Sequence, residues 1–374
     1  MTITEHSERA ALDADVLAWI GESPWRNDEE RFDALARRLF AQQFQHCPPY
    51  ARFARGRNIT PETVGSWREI PAVPTGAFKE MVLRSFPESE TKKIFRTSGT
   101  SGTKRGELHL DTLALYEASL LASLRTLLLP DRKPGDTTIR VLAPSAEETP
   151  DSSLSHMFSV LLSDFGSTES GFDVVGGQLR QDELAARLQA MSRAGEPVVL
   201  CGTAFAFVHF LDHLERKGLR IACREGSRVM ETGGFKGFSR VVPQAELHEA
   251  LSIRLGISPS HVVNQYGMTE LGSQFYDSVL VDRKGPRRKS VPPWVRVRLI
   301  DPETSQEAAP GDLGMISVYD LANTGSIAAI QTADLGRWMP GTEDGFEVVG
   351  RQEGAEARGC SIAADEMLAH RGDD

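Results

Sequence analysis

Residues 197–217 read PVVLCGTAFAFVHFLDHLERK, and their hydrophobic period changes part-way along. Positions 197–201 form an unbroken apolar run behind a proline, the pattern of a strand buried on both faces. From Phe205 to Lys217 the apolar residues recur three and four apart, which predicts a helix. The same switch recurs on either side. Strands are expected over 138–142, 228–231 and 261–266, and helices over 154–162, 181–193 and 243–255. Pro243 falls in the first turn of the last helix, where its missing N–H costs nothing. Alternation of this kind predicts an α/β fold with a largely parallel sheet covered by helices.

Working outward, the first 46 residues read as helical. Val16, Leu17 and Ile20 form one apolar face, and Phe32, Leu35, Ala36, Leu39 and Phe40 form another. Segment 47–78 carries Pro48, Pro49, Pro61, Pro71 and Pro74, so it is expected as a connector with short elements. A strand over 93–96 is followed later by an amphipathic helix over 113–129, capped by Asp111 or Thr112. Beyond residue 290 the texture changes. Short strands are expected over 294–300, 314–319, 326–331 and 346–349, separated by Gly/Pro turns. The resulting division is an N-terminal helical region over 1–90, an α/β core over 91–290, a small β subdomain over 291–350 and a tail over 351–374.

Composition excludes several classes. The chain of 374 residues has 52 acidic and 42 basic residues, a net charge of −10, and so lacks the basic footprint of a nucleic-acid binder. Arg283, Lys284, Arg287, Arg288 and Lys289 cluster around Gly285 and Pro286 and are expected as a solvated loop. The longest apolar stretch, 198–211, is too short to span a membrane, and the N-terminus has no secretory pattern. Cys47, Cys201, Cys223 and Cys360 form no CxxC pair, so a reducing cytoplasm is expected. The first three are expected as small hydrophobes. No histidine pair has the spacing of a zinc site, and no zinc is expected.

Four segments carry chemistry. Residues 96–105, RTSGTSGTKR, place Thr97, Ser98, Gly99, Thr100, Ser101, Gly102, Thr103 and Lys104 directly after a strand. Glycines let backbone N–H groups cradle an anion, hydroxyls add donors, and a lysine adds a point charge for phosphate. Gly99 and Gly102 enclose two residues, so this is not a Walker A loop. Residues 264–270, NQYGMTE, follow a parallel strand, where open α/β sheets bind ligands. Tyr266 is suited to stacking on a base, and Thr269 and Glu270 to a phosphate oxygen and Mg²⁺. Asp334 in TADLG (332–336) can accept from ribose hydroxyls, and Arg351 in GR (350–351) can contact ribose or phosphate.

TSGTSGTK, ETGG (231–234), NQYGMTE, TADLG and GR, in that order, resemble the adenylate-forming superfamily of acyl-CoA synthetases, peptide-synthetase adenylation domains and firefly luciferase. SSLSHMF (152–158), TGGFKG (232–237) and GRQEGAEARGCS (350–361) are similar to one branch, the acyl-protein synthetases of bacterial bioluminescence. The resemblance covers nearly the whole chain. It implies the superfamily's N-terminal-domain fold and ATP- and Mg²⁺-dependent activation of a carboxylic, notably fatty, acid to an acyl-adenylate. It implies phosphate contacts from Thr97 to Lys104, adenine against Gly233 and Gly234, and Tyr266 with Gly267 beside the base. Thr269 and Glu270 would hold the α-phosphate and Mg²⁺, Asp334 the ribose, and Arg351 would support it. His156 would line the carboxylate pocket.

The resemblance also implies transfer of the acyl group to Cys360 and then to a partner such as a fatty-acid reductase or carrier protein. A nearby Arg358 favours the thiolate. The chain runs only 23 residues past Arg351, so most of the superfamily's mobile lid, with its adenylation lysine, is expected to be missing. Lys104, Lys236 or a partner protein are the alternatives for that role. Two other functions fit the motifs: delivery straight to CoA or a carrier thiol, and a non-catalytic nucleotide- or acyl-binding subunit.

Overall fold

The computed structural model describes residues 3–98, 104–233, 242–339 and 345–351. The chain divides into two compact units: one of residues 1–122, 267–274 and 289–374, the other of 123–266 and 275–288.

The second unit is the alternating region. Its sheet runs Phe275–Asp277, Val262–Tyr266, Arg228–Thr232, Val198–Thr203, Thr138–Leu142 and Gly171–Phe172. All neighbours are parallel except the antiparallel Phe275–Asp277. Val198–Thr203 and Arg228–Thr232 are buried almost throughout, as the unbroken apolar run at 197–201 requires. Helices Gln181–Ala194, Ala204–Arg216 and Gln244–Leu255 pack Leu184, Leu188, Phe207, Phe210, Leu214 and Leu251 into one core with the strands. Thr203 caps Ala204–Arg216 through the Ala206 N–H, and Gly195 ends Gln181–Ala194 in the left-handed conformation. Gly202 lies opposite Leu142, and a Cβ there would stand 2.8 Å from the Leu142 Cβ. Gly202→Ala is expected to destabilise the unit by about 1–3 kcal/mol through overpacking. Its urea midpoint checks this, and an unchanged midpoint would refute it.

The first unit begins with helices Ile3–Ile20, Glu29–His46 and Pro48–Arg55. An antiparallel sheet follows in the order Val295–Ile300, Gly314–Asp320, Ala329–Trp338, Gly345–Arg351, Lys289–Ser290. Val73–Pro74 adds a parallel strand against Ala329–Trp338. Edge-on aromatic contacts run from Trp19 to Phe32, Phe32 to Trp67 and Trp67 to Tyr319, with centroids 6.5, 5.4 and 4.9 Å apart. Arg296 lies over the Phe32 ring and pairs with Glu29. Burial pushes the Glu29 carboxyl up, but hydrogen bonds from Trp67, Arg296 and Arg68 outweigh it and lower it to about 2.

Three expectations need correction. The helix expected over 113–129 is α-helical only over Ala114–Ser123, and Leu124–Leu128 forms a π-helical turn. Thr112 supplies its N-terminal bond, Oγ1 accepting from the Ala114 N–H at 3.2 Å. The strand expected to end at 331 runs on to Trp338, so TADLG lies inside a strand. The basic cluster is not simply a solvated loop. Arg287 donates to Asp277 and to the carbonyls of Val262 and Pro259, Arg288 pairs with Asp282, and Lys289 is buried. Arg287 answers acceptors up to 28 residues away that the local sequence does not reveal, while Arg283 and Lys284 are exposed as expected.

Among the described residues no helix is long and apolar enough to cross a membrane.

Candidate functional site

The hydroxyl-glycine segment connects two paired strands. Lys93–Arg96 pairs antiparallel with Glu107–Leu110. Its neck is closed by the Thr97 N–H on the Gly106 carbonyl and by the Gly106 N–H on Thr97 Oγ1, both at 2.9 Å. The Arg105 Nε adds a 2.6 Å bond to the Thr97 carbonyl. A Cβ on Gly106 would lie 3.1 Å from Thr97 Cγ2, so the neck is tight. Ser98 and Lys104 are exposed on either side, and the Lys104 ammonium lies 3.5 Å from a Glu80 carboxylate oxygen. Gly99, Thr100, Ser101, Gly102 and Thr103 lie outside the described residues.

Two motifs on successive strands, 17 residues apart, meet in the first unit. Ala329–Trp338 and Gly345–Arg351 are neighbours, and their register sets Asp334 opposite Arg351. Arg351 Nε donates to Asp334 Oδ1 at 3.0 Å. The Asp334 N–H is held by Thr332 Oγ1 at 3.1 Å, which fixes the backbone from which the carboxylate projects. Arg351 is half-exposed, whereas the Asp334 side chain is 13% exposed.

Thr269 and Glu270 also belong to the first unit, on a segment without helix or strand. Thr269 and Gly267 are half-buried, and Glu270 is buried. The Glu270 carbonyl accepts from Asn323 Nδ2 at 2.8 Å.

In the second unit, Tyr266 ends the strand Val262–Tyr266 and lies 5.9 Å from the Phe275 ring. The neighbouring strand Arg228–Thr232 ends at Gly233, whose φ of +74° is a left-handed conformation that favours glycine. Gly234 lies outside the described residues. Before Gly233 is a polar cluster around the buried Glu231; the motifs contain Glu231 and Asn264 but not its partners Gln244 and His248. Glu231 Oε1 accepts from Asn264 Nδ2 at 2.8 Å, Gln244 Nε2 at 3.0 Å and lies 3.2 Å from His248 Nε2. It ties the ends of two adjacent strands to Gln244–Leu255. His156 is half-buried in the first turn of Ser153–Phe165, a helix capped by Ser152.

The described cysteines are poor nucleophiles. Burial pushes Cys47 and Cys223 up to about 11 and Cys201 well above its ordinary value. Cys360 lies outside the described residues, as does Lys236.

A profile of the family described as acyl-protein synthetase, LuxE, matches residues 2–369. The chain belongs to the LuxE acyl-protein synthetase family. It is 22% identical over 367 residues to a long-chain-fatty-acid–luciferin-component ligase of Aliivibrio fischeri, covering 95% of this chain and 93% of that one. The ligase of the same name from Vibrio harveyi is 20% identical over 380 residues, covering 99% and 98%. Among solved structures, 2-hydroxyisobutyryl-CoA ligase in its postadenylation state with 2-HIB-AMP is similar with a TM-score of 0.65 at 14% identity, over 87% of this chain and 69% of that one. Its open conformation with 2-HIB-AMP and CoA gives 0.63 at 13% identity, over 89% and 75%. The structural likeness is one of fold, and the fold is that of adenylate-forming ligases. This LuxE-family chain is an acyl-adenylate-forming ligase.

Proposed function

We propose that this enzyme uses ATP and Mg²⁺ to activate a long-chain fatty acid as its acyl-adenylate, then takes the acyl group onto Cys360 and passes it to a partner. The observation that supports the proposal is the Asp334–Arg351 pair, in which two motifs meet; its carboxylate would accept from the ribose hydroxyls. The remaining assignments follow the family resemblance. The 97–104 segment would hold the β- and γ-phosphates, with Lys104 as its cation. Gly233 and Gly234 would lie against the adenine, and Tyr266 and Gly267 would flank it. Thr269 would bind the α-phosphate, and His156 would line the pocket for the substrate carboxylate.

Glu270 suits magnesium. Among the described residues no group of three or more His, Cys, Asp and Glu could hold a metal ion. A single carboxylate with phosphate oxygens is the set Mg²⁺ accepts. Bound there, the ion would neutralise charge building on the phosphates.

In the first step a carboxylate oxygen attacks the α-phosphorus and pyrophosphate leaves. In the second the Cys360 thiolate attacks the acyl carbonyl and AMP leaves. A fatty-acid reductase or carrier protein fits as the next acceptor, and a cytoplasmic setting fits a reactive thiol.

Intact-protein mass after incubation with ATP, Mg²⁺ and long-chain fatty acids tests the scheme. The expected result is a gain of one acid minus water, removed by hydroxylamine. Cys360→Ala is expected to abolish that gain while pyrophosphate exchange continues. Exchange without any mass gain in the unaltered enzyme would overturn self-acylation and point to an external thiol.

A further inference from the structure

The segment bearing Thr269 and Glu270 has no helix or strand to hold it, yet it is fixed from one side by residues that no motif reading singled out. Asp320 ends the strand Gly314–Asp320 and is fully buried. Its Oδ2 accepts from the Ser273 N–H at 2.7 Å, and its Oδ1 from Ser273 Oγ at 2.7 Å and the Ala322 N–H at 3.0 Å. Ser273 Oγ in turn accepts from Ser119 Oγ and Trp294 Nε1, at 2.8 and 3.1 Å.

Three residues further on, Asn323 is 1% exposed. Its Nδ2 donates to the Glu270 carbonyl at 2.8 Å and to the Ile327 carbonyl at 2.9 Å. Its own carbonyl accepts from Gln43 Nε2 at 3.0 Å. The two backbones also meet directly. A Cβ on Gly272 would lie 3.0 Å from the Ala322 carbonyl carbon and oxygen. Side-chain bonds at both ends and close backbone approach between them leave the 270–273 main chain little freedom.

We infer that Asp320 and Asn323 are positioning residues for the magnesium-and-phosphate segment, holding the 270–273 main chain so that Thr269 and Glu270 meet the nucleotide's phosphates and metal. The inference rests on the assignment of Glu270 to Mg²⁺ made above. Partners that orient metal-binding groups commonly contribute 10- to 100-fold in metal affinity, because a misplaced carboxylate pays the ordering cost at the moment of binding. A clamp serving stability alone would leave that affinity untouched.

The test is calorimetric binding of ATP across a Mg²⁺ titration, with ATP in EDTA as reference. Asp320→Asn and Asn323→Ala are expected to raise the Mg²⁺ concentration needed for tight ATP binding about tenfold. Binding in EDTA is expected to change less than about twofold, since base, ribose and phosphate donors remain in place. Tyr50→Phe is the control. It removes an equally buried bond of the same unit, Tyr50 Oη to the Pro71 carbonyl at 3.0 Å, and is expected to lower the Tm without moving the Mg²⁺ requirement. Loss of Tm in all three variants with an unchanged Mg²⁺ requirement would overturn the inference.

Hydrogen exchange on the unaltered enzyme gives a second reading that needs no variant to fold. Peptides covering 269–274 and 320–323 are expected to gain protection together with MgATP and not with ATP in EDTA. Protection confined to 269–274 would overturn the clamp while leaving Glu270 as a metal residue. ATP binding by the unaltered enzyme that ignores Mg²⁺ would overturn the Glu270 assignment and the clamp with it.

Discussion

Glu270→Gln is expected to lower fatty-acid-dependent pyrophosphate exchange by about 10²–10³-fold, the loss seen when one preorganised electrostatic group is removed from a developing negative charge. Glutamine keeps the side chain's size, so the main-chain bond from Asn323 to the residue 270 carbonyl survives and the fold is retained. What disappears is the formal charge. A neutral amide oxygen is a weak partner for Mg²⁺, which holds its water tightly and yields it only to charged or phosphate oxygens. Exchange is the right assay because it reports adenylation alone, independent of Cys360. Rates within threefold of the unaltered enzyme, at equal Tm, would show that this carboxylate does not serve the metal.

Asp173→Ala is the largest expected effect on stability. Arg140 and Asp173 are almost fully buried, at 7% and 3% side-chain exposure. Arg140 Nε donates to Asp173 Oδ2 at 3.0 Å, Nη2 forms a second short bond to Oδ1, and Nη1 reaches the Glu169 carbonyl at 3.0 Å. The pair packs where Thr138–Leu142 meets Gly171–Phe172. Removing the carboxylate leaves a guanidinium in the interior with one carbonyl for company. Breaking such a pair costs about 3–5 kcal/mol, a large share of the roughly 5–15 kcal/mol that separates folded from unfolded domains. The Asp173→Leu, Arg140→Met double variant removes both charges and is expected to recover most of the loss. Urea denaturation measures both, and a single variant within 1 kcal/mol of the parent would refute the argument.

The second unit was legible because its signals are local. A run such as PVVLC has one consistent structural meaning, and the strand Thr138–Leu142 falls where its sequence placed it. Thr203 and Gly195 mark helix ends through chemistry within three or four residues. The motif residues were legible for another reason. The hydroxyl-glycine segment and the Asp334 and Arg351 motifs have recognisable composition. What stayed hidden depends on partners distant in sequence. Asp320 reads as an ordinary strand-end aspartate, and only its bonds to Ser273, 47 residues away, show that it is a buried anchor. Burial pushes its carboxyl up to about 6 despite the N–H and O–H groups aimed at it. Arg287 likewise looks solvent-bound until Asp277 and the Pro259 and Val262 carbonyls surround it. The residues past Arg351, Cys360 among them, have sequence arguments only.

The interleaved order of the units has a consequence for synthesis. Residues 123–266 emerge from the ribosome in one piece, and their strands find neighbours close behind them. The first unit has no such luck with timing. Gln43, on the second helix, binds carbonyls of Asn323 and Thr324, 280 and 281 residues downstream. At about 5–20 residues per second, that partner arrives roughly 15–60 s later. Throughout that interval the face carrying Phe32, Leu35, Leu39 and Phe40 lacks the strands that complete its unit. The nascent chain therefore carries an apolar helix pair through most of translation, a ready ligand for a chaperone that holds unfolded segments, and its yield should respond to translation speed more than its final stability suggests.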